Sequence, residues 1–132
     1  MIQGVGHIGI AVKDIEKAVA GFCHGLGLQK PEIRHLTERQ MKVAVLNLGG
    51  FGIEFVQDDS PDGMLARAVR ERGNTIHHFA LVSDDIEGDS GALQQRGLAL
   101  LYPKSRTGVR GKRINFITSG LIDNVPVEIS EP

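Results

Sequence analysis

His7-Ile8-Gly9-Ile10-Ala11-Val12 returns 71 residues later as His78-Phe79-Ala80-Leu81-Val82-Ser83. At the same offset Asp14-Ile15-Glu16 returns as Asp85-Ile86-Glu87. Gly27-Leu28 falls on Gly97-Leu98 at an offset of 70, and Ile53-Glu54-Phe55 on Val127-Glu128-Ile129 at 74. Self-similarity at a nearly fixed period marks an internal repeat. Each copy opens on an alternating apolar run, the signature of a strand. An aspartate follows where a helix N-cap belongs, and a glycine where a helix stops. The expected strands are Val5–Val12, Leu28–His35, Met41–Leu48, Gly52–Val56, Thr75–Val82, Leu98–Tyr102, Arg113–Thr118 and Asn124–Ser130. The expected helices cover about 15–25, 62–72 and 85–96, with a basic loop before Arg113. Each copy therefore reads β-α-β-β-β. The expectation is one α+β domain over 1–132, built from paired βαβββ modules at about 1–60 and 74–132. Their strands would form a curved mixed sheet around a cleft.

Composition sets the outer limits. The chain has 132 residues, 41% hydrophobic and 23% charged, as in ordinary globular proteins. Net charge is -1, which disfavours a general nucleic-acid binder. No apolar run is long enough to span a bilayer. The start, Met1-Ile2-Gln3-Gly4, lacks the pattern of a secretory leader. Cys23 is alone, so a reducing cytoplasm is expected. Between Ala99 and Ile122 there is no acidic residue, while Lys104, Arg106, Arg110, Lys112 and Arg113 are present. That stretch reads as a solvated loop or as a rim for an anionic ligand.

Four polar residues stand in otherwise apolar strands: His7, Glu54, His78 and Glu128. Side chains alternate faces along a strand, so His7 shares a face with Gly9 and Ala11, and His78 with Ala80 and Val82. Glu54 goes with Gly52, and Glu128 with Pro126. The bulky faces suit the helices, while the small-residue faces leave a cavity for the polar groups. Two imidazoles and two carboxylates at equivalent positions of a repeat suit a divalent ion, because a buried charge needs a partner or a metal. His77 has the opposite parity to His78 and reads as structural. His24 and His35 read as surface residues, and Cys23 as a buried, inert thiol.

These residues resemble the vicinal-oxygen-chelate superfamily, also called the glyoxalase/bleomycin resistance/dioxygenase superfamily. Its paired βαβββ modules hold a divalent metal. The branch most similar is methylmalonyl-CoA epimerase, through the two histidine strands, Ile53-Glu54-Phe55-Val56, Gly111-Lys112-Arg113-Ile114-Asn115-Phe116-Ile117 and Val127-Glu128-Ile129. The resemblance implies one divalent ion (Co, Ni, Zn, Mn or Mg) on His7, Glu54, His78 and Glu128. It implies chemistry on a carbon next to a carbonyl, with Glu54 and Glu128 as acid/base groups. Lys112, Arg113 and Asn115 are the implied substrate contacts, an acyl-CoA thioester the implied partner, and a homodimer the implied assembly. Some epimerases carry a glutamate where this chain has Val43. A lactoylglutathione lyase of the glyoxalase I type, another metal-dependent member such as an oxygenase, and a non-catalytic small-molecule binder are the alternatives.

Overall fold

The computed structural model describes residues 1–132 and shows a mixed α+β fold of three α-helices and nine strands. Two compact units emerge. One comprises Met1–His7 with His78–Pro132, and the other Ile8–His77. They do not follow the two repeats, because the first strand, β1 (Ile2–Ala11), contributes to both.

In the unit of residues 8–77, the chain leaves β1 and enters α1 (Ile15–Leu26). Asp14 is extended, and its Oδ1 accepts from the Lys17 N–H at 3.2 Å, which caps the helix as expected. Gly27 ends it with φ 68°, a left-handed conformation that costs glycine little. Ile15, Val19 and Cys23 recur at helical spacing and are buried. They join Val12, Ala44, Leu46 and Phe55 in one apolar core.

The segment expected as a strand at 28–35 is mostly not one. Only β2 (Arg34–Leu36) pairs, antiparallel to β3 (Met41–Leu48). Pro31 has no N–H to offer a ladder. Leu28 and Ile33 are instead packed against the α1 core. A 3-10 turn at Thr37–Arg39, absent from the expectation, links β2 to β3. β3 pairs with β4 (Phe51–Asp58) antiparallel from Met41↔Asp58 to Leu48↔Phe51. The Val12 N–H donates to the Val56 carbonyl at 2.9 Å, which ties the end of β1 to β4.

The second helix, α2 (Met64–Arg72), starts two residues later than expected. Asp58 accounts for the delay. Its Oδ1 accepts from the N–H of Ser60 at 3.0 Å, and its Oδ2 from that of Ala66 at 3.2 Å. The intervening residues are thereby held in a turn.

In the other unit β5 (Thr75–Ser83), counted from His78, leads to α3 (Ile86–Gln95). Asp85 caps α3 by accepting from the Gly88 N–H at 3.1 Å. Ile86 and Ser90 are its buried residues. The strand expected at 98–102 shrinks to β6 (Ala99–Leu100). β7 (Arg106–Thr107) is a strand where a loop was expected, and it pairs with β8 (Arg113–Ser119). The turn between them closes through Gly108 N–H to Lys112 O at 2.7 Å, with Gly111 at φ 78°. β9 (Val127–Ser130) is shorter than expected, since Asn124 is left-handed and Pro126 lacks a donor. β9 pairs with β5 in parallel and with β8 antiparallel. No helix is long and apolar enough to cross a membrane.

Candidate metal centre

Strand parity sets the site. His7, Gly9 and Ala11 are buried along β1, while Ile8 and Ile10 are half-buried. Gly6, just before His7, lets another strand come close. A Cβ there would lie 2.7 Å from Cγ2 of Val82. On β9, Glu128 alternates with the fully buried Val127 and Ile129. Its register neighbours are Ala80 on β5 and Phe116 on β8.

Three of the four expected donors meet in this unit. Glu128 Oε1 lies 3.6 Å from His7 Nε2, and Oε2 lies 3.4 Å from His78 Nε2. The two imidazoles are edge-to-face at 5.5 Å, and His78 meets the Phe116 ring at 5.2 Å. All three donor residues are buried. These N···O separations exceed those of ordinary hydrogen bonds, which run to roughly 3.2 Å. They match two donors sharing one ion, each at about 2.0–2.2 Å, which at octahedral to tetrahedral angles places the donors about 2.8–3.6 Å apart. The chemistry fits too, since imidazole and carboxylate ligate zinc and its neighbours in the first transition row. Burial, aided by the Arg110 guanidinium, lowers the His7 pKa to about 4, so its ring is neutral near pH 7, which coordination requires whichever nitrogen carries the proton.

Glu54 belongs to the unit of residues 8–77. Its neighbours Ile53 and Phe55 pack into the α1 core, so parity turns Glu54 away from α1. It is nevertheless buried. Like His7 and His78, it offers a donor atom of the kind a divalent ion takes. Val43, at 1% exposure, pairs with Arg34 and Val56 and carries no group that could move a proton.

The residues expected to contact substrate each have partners within the chain. Asn115 is fully buried and spends its amide on the backbone. Its Oδ1 accepts from the Tyr102 N–H at 3.1 Å, and its Nδ2 donates to the Tyr102 carbonyl at 3.0 Å. Its parity is opposite to that of Phe116, so it shapes the loop rather than lining the histidine cluster. Arg113 Nε donates to Ser105 Oγ at 2.9 Å and lies 3.8 Å from Glu87. Lys112 Nζ donates to the Pro132 carbonyl. Both line a cavity of about 420 Å³ that also holds Asp84, Asp85, Glu87 and Glu131. Four carboxylates make that cavity a poor receiver of phosphate.

The cation at the histidine cluster is Arg110, whose Nη1 lies 3.2 Å from His7 Nδ1. It was legible only as one member of the acid-free run, with nothing in its neighbours to single it out. His77, Cys23, His24 and His35 lie as read. The first two are buried and the last two exposed. Burial and the Arg72 charge lower the His77 pKa to about 4.

Comparison with known proteins points to one family. Residues 6–116 match the family model for the glyoxalase/bleomycin resistance protein/dioxygenase superfamily. The uncharacterized protein YqjC of Bacillus subtilis is 29% identical over 126 residues, spanning 96% of this chain and 90% of that protein. Human mitochondrial methylmalonyl-CoA epimerase is 27% identical over 128 residues, spanning 96% of this chain and 73% of the enzyme. The crystal structure of methylmalonyl-CoA epimerase from Mycobacterium tuberculosis superposes with a TM-score of 0.88 at 26% identity, covering 99% of this chain and 89% of that one. Repeat and sequence match converge: the chain belongs to the glyoxalase/bleomycin resistance protein/dioxygenase superfamily.

Proposed function

We propose that the protein is a metal-dependent epimerase of the methylmalonyl-CoA epimerase type, which moves the α-proton of an acyl-CoA thioester. The observation that carries this reading is the buried Glu128 carboxylate set between His7 and His78 at 3.6 and 3.4 Å. Similarity to the human and mycobacterial epimerases supports the substrate class. His7, His78 and Glu128, with Glu54 as the fourth donor by its equivalent place in the repeat, are the residues that would hold the ion. A divalent ion bound there supplies Lewis acidity to the thioester carbonyl, which stabilises the enolate.

The chain's own part is proton movement. Epimerisation removes a proton from one face of the α-carbon and returns one to the other. Glu128 takes the proton on one face, and Glu54 delivers one on the opposite face. The carbon ends with the same atoms and inverted configuration, and the two carboxyls have exchanged protonation states. Val43 leaves no third carboxylate on β3 for this task. The basic loop 104–113 is the receiving surface for the anionic part of the thioester. Lys112 and Arg113 fix one end of it, and Lys104, Arg106 and Arg110 are further exposed cations along it. The reading includes a cytoplasmic setting, supported by the lone buried Cys23, and a homodimer, which sedimentation velocity checks.

The test is α-proton exchange in deuterated water across a panel of acyl-CoA thioesters, run with Co, Ni, Zn, Mn and Mg in turn. Metal-dependent exchange with a 2-methyl-branched thioester is the expected result. Turnover of a glutathione hemithioacetal without thioester exchange would transfer the site to lyase chemistry. Neither reaction with any metal would leave a binding protein.

A further inference from the structure

We propose that Arg110 holds His7 in the tautomer that cannot bind a metal, so that metal uptake requires Arg110 to leave. The inference rests on the reading of His7 as a ligand. A guanidinium has donors and no acceptor. Its Nη1 at 3.2 Å from His7 Nδ1 therefore requires the lone pair of that nitrogen. A neutral imidazole with its lone pair on Nδ1 carries its proton on Nε2. Nε2 is the nitrogen that faces Glu128, at 3.6 Å, and is the one a shared ion would take. Moving the proton to Nδ1 frees Nε2, but sets an N–H against the N–H groups of Arg110. Ligating histidines ordinarily give their second N–H to an acceptor, and loss of that support changes metal affinity by roughly 10–100-fold. Here the second nitrogen meets the opposite kind of group. Arg110 can withdraw at little cost, because it is exposed and stands beside Gly111 at φ 78° in the turn between β7 and β8. Its release also sends a cation toward solvent from the rim of the site.

The experiment is zinc titration of the full chain against a chromophoric chelator, for wild type, Arg110→Ala and Arg110→Lys. It is paired with long-range proton–nitrogen spectra that report the His7 tautomer. The expected result for Arg110→Ala is zinc affinity about 10-fold tighter or more. Arg110→Lys, still a cation with donors only, should stay near wild type. The metal-free wild type should show His7 protonated on Nε2, and zinc should move the proton to Nδ1. Equal zinc affinity in wild type and Arg110→Ala, or an Nδ1–H tautomer in the metal-free wild type, overturns this inference alone. Failure of both wild type and Arg110→Ala to bind zinc overturns the ligand reading of His7 and this inference with it.

Discussion

Strands β4 and β9 carry the same short pattern, an apolar residue, a glutamate and an apolar residue, yet they bury their carboxylates by different means. β4 is eight residues long and pairs with β3 along its whole length. Its Ile53 and Phe55 reach into the α1 core, so Glu54 is carried by a large apolar assembly behind it. β9 is four residues long and is held on both edges, by β5 and β8. Its Glu128 meets two imidazoles within its own unit. A repeat can thus conserve the place of a carboxylate while one copy supplies the bulk of a core and the other the donors. The pattern in sequence specifies burial, and the neighbours in space specify chemistry.

The largest expected effect breaks the packing side of this comparison. Phe55→Ala should cost about 3–5 kcal/mol in denaturant unfolding, and Ile129→Ala about 2–5 kcal/mol. A Phe55→Ala loss under 1 kcal/mol would mean that β4 does not depend on the α1 core. The chemical side comes next. Glu128→Gln and Glu54→Gln should each slow interconversion about 100-fold or more, the scale of general acid–base catalysis, which corresponds to about 2.7 kcal/mol or more. Each variant should still exchange the proton of one enantiomer in deuterated water. If Glu54→Gln turns over normally and Glu128→Gln does not, the two strands are equivalent in fold only.

A smaller effect compares the two units through pH. His7 lies in one and His77 in the other, and both have pKa values lowered to about 4 from 6.5. Between those values the unfolded chain binds protons that the folded chain does not. Their contribution is therefore complete above pH 6.5 and is lost as pH falls toward 4. The slope is up to about 1.4 kcal/mol per pH unit for each group. Metal-free protein should show this in unfolding curves between pH 7 and 4.5, and His77→Gln should remove one proton's share. An unchanged slope in that variant would count against a buried neutral His77. The smallest effect concerns the caps. Asp14→Ala and Asp85→Ala should each cost about 1 kcal/mol in melting experiments, because each aspartate accepts from an N–H three residues on. A larger loss at Asp14 would reflect the greater apolar load of α1 over α3.

The residues themselves determined a good deal here. Alternation placed β1, β3, β4, β5 and β8. Asp14, Asp85 and Gly27 marked helix ends, because caps act through their own neighbours in the chain. Repeat and parity together picked out His7, Glu54, His78 and Glu128 as buried polar groups, since a strand turns every second side chain to the same face. Tertiary structure alone decided the rest. Two-residue β7 exists because β8 lies beside it, and 28–33 stays unpaired because Leu28 and Ile33 have a core to fill and Pro31 no N–H to give. Asn115 meets the Tyr102 backbone, and Arg110 rather than Lys112 or Arg113 reaches His7. The physical reason is common to all of these. Local pattern fixes which face a side chain takes, but a partner distant in sequence fixes what it meets there.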